Sequence, residues 1–503
     1  MQLAGIAVLF AATTGTFFVT RDGGLFPFDD SYITQAAARN VIEHGVLAVD
    51  PAKPWRGVTS PLHVGLVASA GRFIGIPTAA RAVGIASHAL LVVLAAFLAF
   101  AWAGESASMT DRRRAAWWAA ILAAASGYLT LHSLSGMETT LFVALVLAAI
   151  AAHAFVVREN STAWNRVLRG MLVAGAIATR PEGFALAAAL WGDDLWRAFG
   201  ARAPRCAGSL VAEALLVAAL IAPFAFAYQA HTGTWWSDTG AIKAAFFRLD
   251  TDDRALRSMG AYLGGITRFA ARHAPFVAFA VFAWRRGGVS RVAMRAPLAF
   301  AALFYTGAAV FPAGLQMYWL RYQMPVLALL LPVAAIGVAA WSAKTDPRQR
   351  RRILAALVIF LVLDALAARR NYVGDLRQTR VSVVATADWL REHTAPGDLV
   401  AAHDLGASVD LAHRPVLDMV GLIDPESAAA NRADVSKKAL WQVIESRRPA
   451  WLVMFDAANT AFFRFEGEIE RGRLEKFWQS EAGRVPEKRY TIYRCRWDAP
   501  KSP

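Results

Sequence analysis

Two adjacent aspartates, Asp29 and Asp30, lie in the stretch FPFDDSYI, just past the first apolar run of the chain. A carboxylate placed there can accept the proton of an alcohol as the alcohol oxygen attacks another centre. Other ionisable and aromatic residues recur in short stretches between apolar runs. PWRGVTSPLH carries Arg56 and His63, and SLSGMETT carries Glu138. ATRPEGF carries Arg180 and Glu182, HTGTWWSDTGAIK carries Lys243, and QMYWLRYQMP carries Tyr318, Arg321 and Tyr322. A guanidinium or ammonium at that depth can hold a phosphate as it leaves. Gathered in one outer-face pocket, such groups can exchange a lipid phosphate for an alcohol oxygen, but the residues alone reach only a membrane enzyme or transporter with an acidic outer site. An inverting displacement needs one base and one cationic clamp, and the residues alone leave a retaining carboxylate pair open.

Each residue also has a structural reading. An aspartate of the pair could cap the helix SYITQAAARNVIEH. Glu138 could favour the positive end of a following helix. Arg180 and Glu182 could be an ion pair bracing the Pro181 turn, and Arg321 an interfacial anchor whose head reaches water. His403, Asp404 and Asp418 are read as turn and strand-end residues.

The elements that must position these groups follow from composition. Of 503 residues, 56% are hydrophobic and only 18% charged, too apolar for a soluble enzyme of this size. The expectation is a polytopic α-helical membrane protein with about eleven transmembrane helices. They run near 2–20, 81–103, 115–131, 139–157, 167–179, 184–197, 208–228, 270–284, 296–313, 322–341 and 352–368. The first is read as an uncleaved helix, with a signal peptide as the alternative. The run 61–76 is read as an amphipathic or re-entrant helix. The net charge of +15 gathers in short loops such as RRR at 112–114 and RQRRR at 348–352. That pattern orients helices and does not form a nucleic-acid stripe. It puts the N-terminus inside and the tail outside. Cys206 and Cys495 then fall on opposite sides, with no disulfide expected.

From about Asn371 the pattern changes to alternating helix and strand periods, so residues 371–503 are expected to form an α/β domain on the periplasmic side. Strands are read in DLVAAHD, RPVLDMVG and PAWLVMFD, with YTIYRCRW as an edge strand. Residues 1–370 are taken as the transmembrane domain, with 21–80 its first outer loop. No P-loop, dinucleotide fingerprint or H-E-x-x-H motif occurs, which argues against an ATP-driven pump or zinc protease.

The order FDDSYITQAAARNVIEHGVLAVDPAKPWRGVTSPLH, SGMETTLF, TRPEGF, RYQMP, VLDMVGLIDPE resembles the GT-C superfamily of polyprenyl-phosphate-dependent glycosyltransferases. Within it, the chain looks most like the branch of mycobacterial terminal β-1,2-arabinofuranosyltransferases. It carries GVTSPLH where that branch has GYTNPLW, and AAARN in place of R-Y-x-x-N. The resemblance implies a GT-C fold and a base at Asp29 or Asp30, with Asp30 slightly favoured. It implies a donor phosphate near Arg321, Arg180 or Lys243, and a tail that helps to close the acceptor cleft. Substrate contacts are further expected from Glu138, Glu182, Tyr318, Tyr322, Arg56 and His63. Some branches use a divalent metal. The aspartates could bind one, but no ligand spacing decides it. The expected partners are a polyprenyl-phosphate sugar, a glycan or glycoconjugate acceptor and membrane lipids, at the bacterial inner membrane. A transporter or flippase of a lipid-linked sugar is the alternative, although no inverted repeat supports it.

Overall fold

The computed structural model describes residues 2–17, 24–157, 162–201, 205–237, 239–246, 254–455, 463–485 and 489–498. The chain divides into two compact units. The first comprises Met1–Thr20, Arg81–Ala225 and Ser258–Arg370, and the second Arg21–Ala80, Phe226–Arg257 and Asn371–Pro503.

The first unit is helical, and every expected apolar segment overlaps a helix. Four helical stretches among the described residues are long and apolar enough to cross a membrane: Ile76–Trp102, Thr139–Val156, Gly208–Thr232 and Pro312–Lys344. Eleven crossings are not shown on that measure. Other expected spans are shorter, or broken where the chain turns. Segment 115–131 becomes Met109–Ala125 and Gly127–Ser133, parted at Ser126. Segment 270–284 becomes Arg254–Arg272 and Ala274–Arg285, parted at His273, with Pro275 in the first turn of the second helix.

At the centre of this unit, Met324–Lys344 packs against both Ala274–Arg285 and Met109–Ala125. A Cβ at Gly337 would lie 2.0 Å from the Phe279 carbonyl oxygen, so two of these helices meet backbone to backbone. Small residues permit that approach where no water-driven force pulls helices together. Thr139–Val156 packs against Ala163–Thr179. Between Arg295–Ala308 and Met324–Lys344 the chain makes tight turns over Pro312–Gln323. Tyr318, Trp319 and Leu320 all take left-handed backbone there, at φ 47°, 58° and 67°. Non-glycine residues pay about 1–2 kcal/mol each for that conformation. Gln323 braces the turn, donating to the Leu315 and Gly265 carbonyls at 2.9 and 3.0 Å and accepting from Tyr305 Oη at 2.8 Å.

The second unit joins the first-loop residues to the tail. Its sheet has strands β1 (Val400–Ala402), β2 (Val416–Asp418), β3 (Trp451–Phe455), β4 (Leu474–Gln479) and β5 (Tyr490–Cys495), in the order β2-β1-β3-β5-β4. The pairs β1–β2 and β1–β3 are parallel, while β3–β5 and β4–β5 are antiparallel. The strand read as an edge, β5, is therefore internal. The edges are β2 and β4, and the LEKFWQ of β4 lacks apolar alternation because Glu475, Lys476 and Phe477 are exposed. Charges on an edge strand also discourage pairing with another chain.

The sheet core joins Leu417, Leu452 and Met454 to Leu440 and Ile444 of the helix Lys438–Arg447. Ile242 and Phe246 of the short helix Thr239–Phe246 enter the same core. Burying each is worth about 1.5–3 kcal/mol. Lys437 Nζ then donates to the Phe246 carbonyl at 3.0 Å. The run 61–76 forms the helix Pro61–Ile74, whose 14 residues rise about 21 Å and fall short of a full crossing.

Candidate functional site

The expected residues fall in two groups, one in each unit. In the second unit, Asp29 precedes the helix Asp30–His44 but makes no side-chain cap bond. The cap reading is thereby corrected. The Asp29 carboxylate reaches across to the tail instead, where Gly406 N–H donates to Oδ2 and Ala407 N–H to Oδ1, each at 2.9 Å. Both oxygens are engaged, as the ionised form favours. Loss of water around the carboxyl, helped by nearby Asp404, opposes ionisation and pushes its pKa up to about 8.

Asp30 points elsewhere. Lys243 Nζ lies 3.3 Å from its Oδ2, and both side chains are partly exposed. Lys243 is delivered by the helix Thr239–Phe246, which the tail core anchors through Ile242 and Phe246. Two more ion pairs fix the first-loop residues on the tail: Arg39 to Asp410 at 2.6 Å and Lys53 to Asp424 at 3.1 Å. Asp404 accepts a short hydrogen bond from Tyr490 Oη. Asp418 closes β2 by accepting from the Val420 and Ile423 N–H groups, at 2.9 and 2.8 Å. Arg56 lines a cleft described below, and His63 is fully buried in Pro61–Ile74.

In the first unit, buried Glu138, Arg180 and Arg321 form one network with the half-buried Glu182. Glu138 stands at the N-cap of Thr139–Val156 without capping it. Its Oε1 accepts from Arg180 Nη1 at 3.0 Å and from Arg321 Nη2 in a short contact. Arg180 also grips Glu182 with two bonds, at 2.6 and 3.2 Å, as the ion-pair reading of the Pro181 turn anticipates. Its guanidinium lies 4.7 Å from the centre of the Tyr322 ring. Arg321 Nε donates to Thr139 Oγ1 at 3.0 Å, and its guanidinium sits 5.9 Å from the Tyr318 ring. With 5% of its surface open, Arg321 is not an anchor reaching for water. Two guanidiniums held by one carboxylate oxygen are oriented for a planar or tetrahedral oxyanion.

Sequence reasoning missed the Gly406 and Ala407 amides, the Asp410 carboxylate and the Thr139 hydroxyl. Backbone donors carry no side-chain signature. The acidic DLGASVD run offered the only hint for Asp410.

For a divalent cation the fit is poor. Among the described residues no cluster of three or more His, Cys, Asp and Glu side chains is disposed to hold a metal. Asp29 is committed to two amides, and Asp30 faces an ammonium. No step below passes through a metal.

Solved structures place this architecture. ArnT from Cupriavidus metallidurans, in its apo state, matches over 100% of both chains at 13% identity, with a TM-score of 0.61. The same protein bound to undecaprenyl phosphate matches equally, at 12% identity, over 98% of its length. The archaeal oligosaccharyltransferase AglB from Archaeoglobus fulgidus, in complex with an inhibitory peptide and a dolichol-phosphate, matches over 99% of this chain and 74% of its own. Its identity is 15% and its TM-score 0.56. The chain shares the fold of these proteins, a helical unit joined to a small C-terminal sheet. The mycobacterial arabinofuranosyltransferase AftD aligns at 15% identity over 98% of this chain, but over only 41% of its own, with a TM-score of 0.48. That likeness does not carry the expected arabinofuranosyltransferase branch. A family profile described as a domain of unknown function, DUF8728, matches residues 370–493. No curated protein matches the sequence.

Proposed function

We propose that the chain is a bacterial inner-membrane glycosyltransferase that moves a sugar from a polyprenyl-phosphate donor to a glycan or glycoconjugate acceptor on the outer face. The observation that carries this reading is the division of labour between the aspartates. Asp29 spends both oxygens on the Gly406 and Ala407 amides, while Asp30 stays partly exposed beside Lys243. Asp30 is assigned as the general base and Asp29 as its positioning neighbour.

In the reaction, an acceptor hydroxyl oxygen forms a bond to the anomeric carbon. The bond from that carbon to the phosphate oxygen breaks, and polyprenyl phosphate leaves with the electron pair. The hydroxyl proton passes to the Asp30 carboxylate, and the anomeric centre inverts. Lys243 orients Asp30. Arg180 and Arg321, pre-aligned by Glu138, are assigned to binding a lipid phosphate. Tyr318 and Tyr322 flank those guanidiniums. Arabinofuranose is the first choice of sugar and a hexose the second.

The test is to incubate full-length protein in liposomes with a panel of polyprenyl-phosphate pentoses and hexoses plus envelope glycan acceptors, and to determine the product linkage. Transfer with inversion supports the reading. Movement of the lipid-linked sugar across the bilayer without any transfer refutes it.

A further inference from the structure

A second feature of the tail-bearing unit is a solvent-open cleft. It is lined by Trp55, Arg56, Tyr228, Thr234, Ser237 and Arg432, among others. Trp55 takes left-handed backbone at φ 66°, and its N–H is held by the Leu47 carbonyl at 2.7 Å. Its ring meets Tyr228 edge to face at 5.2 Å, and Tyr228 Oη is locked by a short bond to the Val58 carbonyl. The aromatic wall is thus fixed before any ligand arrives.

Hydroxyls form another part of the lining. Thr234 Oγ1 lies 2.8 Å from Thr232 Oγ1, and Ser237 Oγ 2.9 Å from Thr239 Oγ1. Two guanidiniums complete it. Arg56 donates to the His231 carbonyl at 3.3 Å, and Arg432 is exposed. No carboxylate lines the cleft among the described residues. A rigid aromatic face suits the C–H face of a sugar ring, hydroxyls suit its hydroxyls, and guanidiniums suit an anion.

We propose that this cleft binds an anionic saccharide, a sugar ring carrying a phosphate or carboxylate, as a subsite for the acceptor. Its assignment to the acceptor rests on the glycosyltransferase reading; its chemistry does not. The anion docks on Arg56 and Arg432 while the ring lies against Trp55.

The test is equilibrium dialysis of the full-length Asp30→Asn protein in nanodiscs, in which transfer is silenced. The probes are radiolabelled glucose 1-phosphate, glucuronic acid and methyl glucoside, with inorganic phosphate as competitor. Both anionic sugars should bind saturably at one site, with methyl glucoside at least tenfold weaker. Arg432→Gln, a change at an exposed position, should weaken the anionic sugars about tenfold and leave methyl glucoside unchanged. Trp55→Phe should weaken all three. Equal binding of neutral and anionic sugars, no saturable binding, or an unchanged affinity in Arg432→Gln overturns the inference. So does competition by phosphate as strong as that by glucose 1-phosphate. Saccharide binding by a protein that transfers from no donor would sink the glycosyltransferase reading alone. Transfer by wild-type protein without such binding would sink this inference alone.

Discussion

Gly406→Ala gives the sharpest structural test of how Asp29 is held. A Cβ at Gly406 would lie 2.2 Å from the Asp29 carbonyl oxygen and 2.8 Å from its Oδ2. The nearest contact is backbone and cannot swing aside as a side chain would. Bringing 2.2 Å to the 3.4 Å at which ordinary contact begins requires a retreat of about 1.2 Å. That retreat stretches the two 2.9 Å amide bonds beyond hydrogen-bonding range. With the Asp29 carboxyl held largely protonated near neutral pH, these bonds contribute about 0.5–1.5 kcal/mol each, so the variant should lose about 1–3 kcal/mol. Asp30, the next residue, is displaced as well, and about 1 Å of misplacement can cost roughly a hundredfold in rate. The control is Gly240→Ala, on the helix Thr239–Phe246, where an added Cβ meets nothing within 4 Å. There alanine should stabilise by about 0.5–1 kcal/mol, as it does at helix positions without a clash. Thermal unfolding and transfer rates are measured for both variants. If Gly406→Ala melts at or above wild type and transfers normally, the Asp29 contact is not as described.

Three further outcomes follow from the same geometry. Folding raises the Asp29 pKa from its ordinary carboxylate value to about 8, so the folded state holds the proton more tightly. Its contribution to stability is full at low pH and is lost as pH rises through about 8; Asp29→Asn should remove that part of the slope in melting temperature between pH 5 and 9. Arg39→Met leaves the buried Asp410 carboxylate without its 2.6 Å partner. Because Arg39 is partly exposed, the loss should fall near the lower end of about 3–5 kcal/mol, and Arg39→Met/Asp410→Leu should recover much of it in thermal unfolding. Arg321→Lys keeps a charge but cannot serve Glu138 and Thr139 from one planar fork. Steady-state kinetics should show about a 10–100-fold loss of kcat/KM for the lipid donor, with the KM for the acceptor unchanged.

Much of the helical architecture was legible because apolar runs register directly as helices. What composition hides is where a helix breaks. Ser126 and His273 part runs that read as continuous, and packing against other helices decides such points. The tail strands β1, β2 and β3 were legible from their apolar runs. β4 was not, because an edge strand with exposed Glu475, Lys476 and Phe477 has no two-residue period. The network of Glu138, Arg180, Glu182 and Arg321 was foreshadowed by costly charges beside apolar segments. Its wiring was not, since two arginines distant in sequence converge on one carboxylate oxygen only after the fold forms. Likewise, the doublet at 29 and 30 flagged a site without revealing which aspartate is tied down by backbone amides.

The most direct measurement is the single-turnover rate of glycosyl transfer from a polyprenyl-phosphate sugar by Asp30→Asn, with donor binding measured in parallel. Loss of a general base should slow the chemical step by about 10²–10⁴-fold while donor binding persists. A rate within threefold of wild type would contradict the assignment of Asp30.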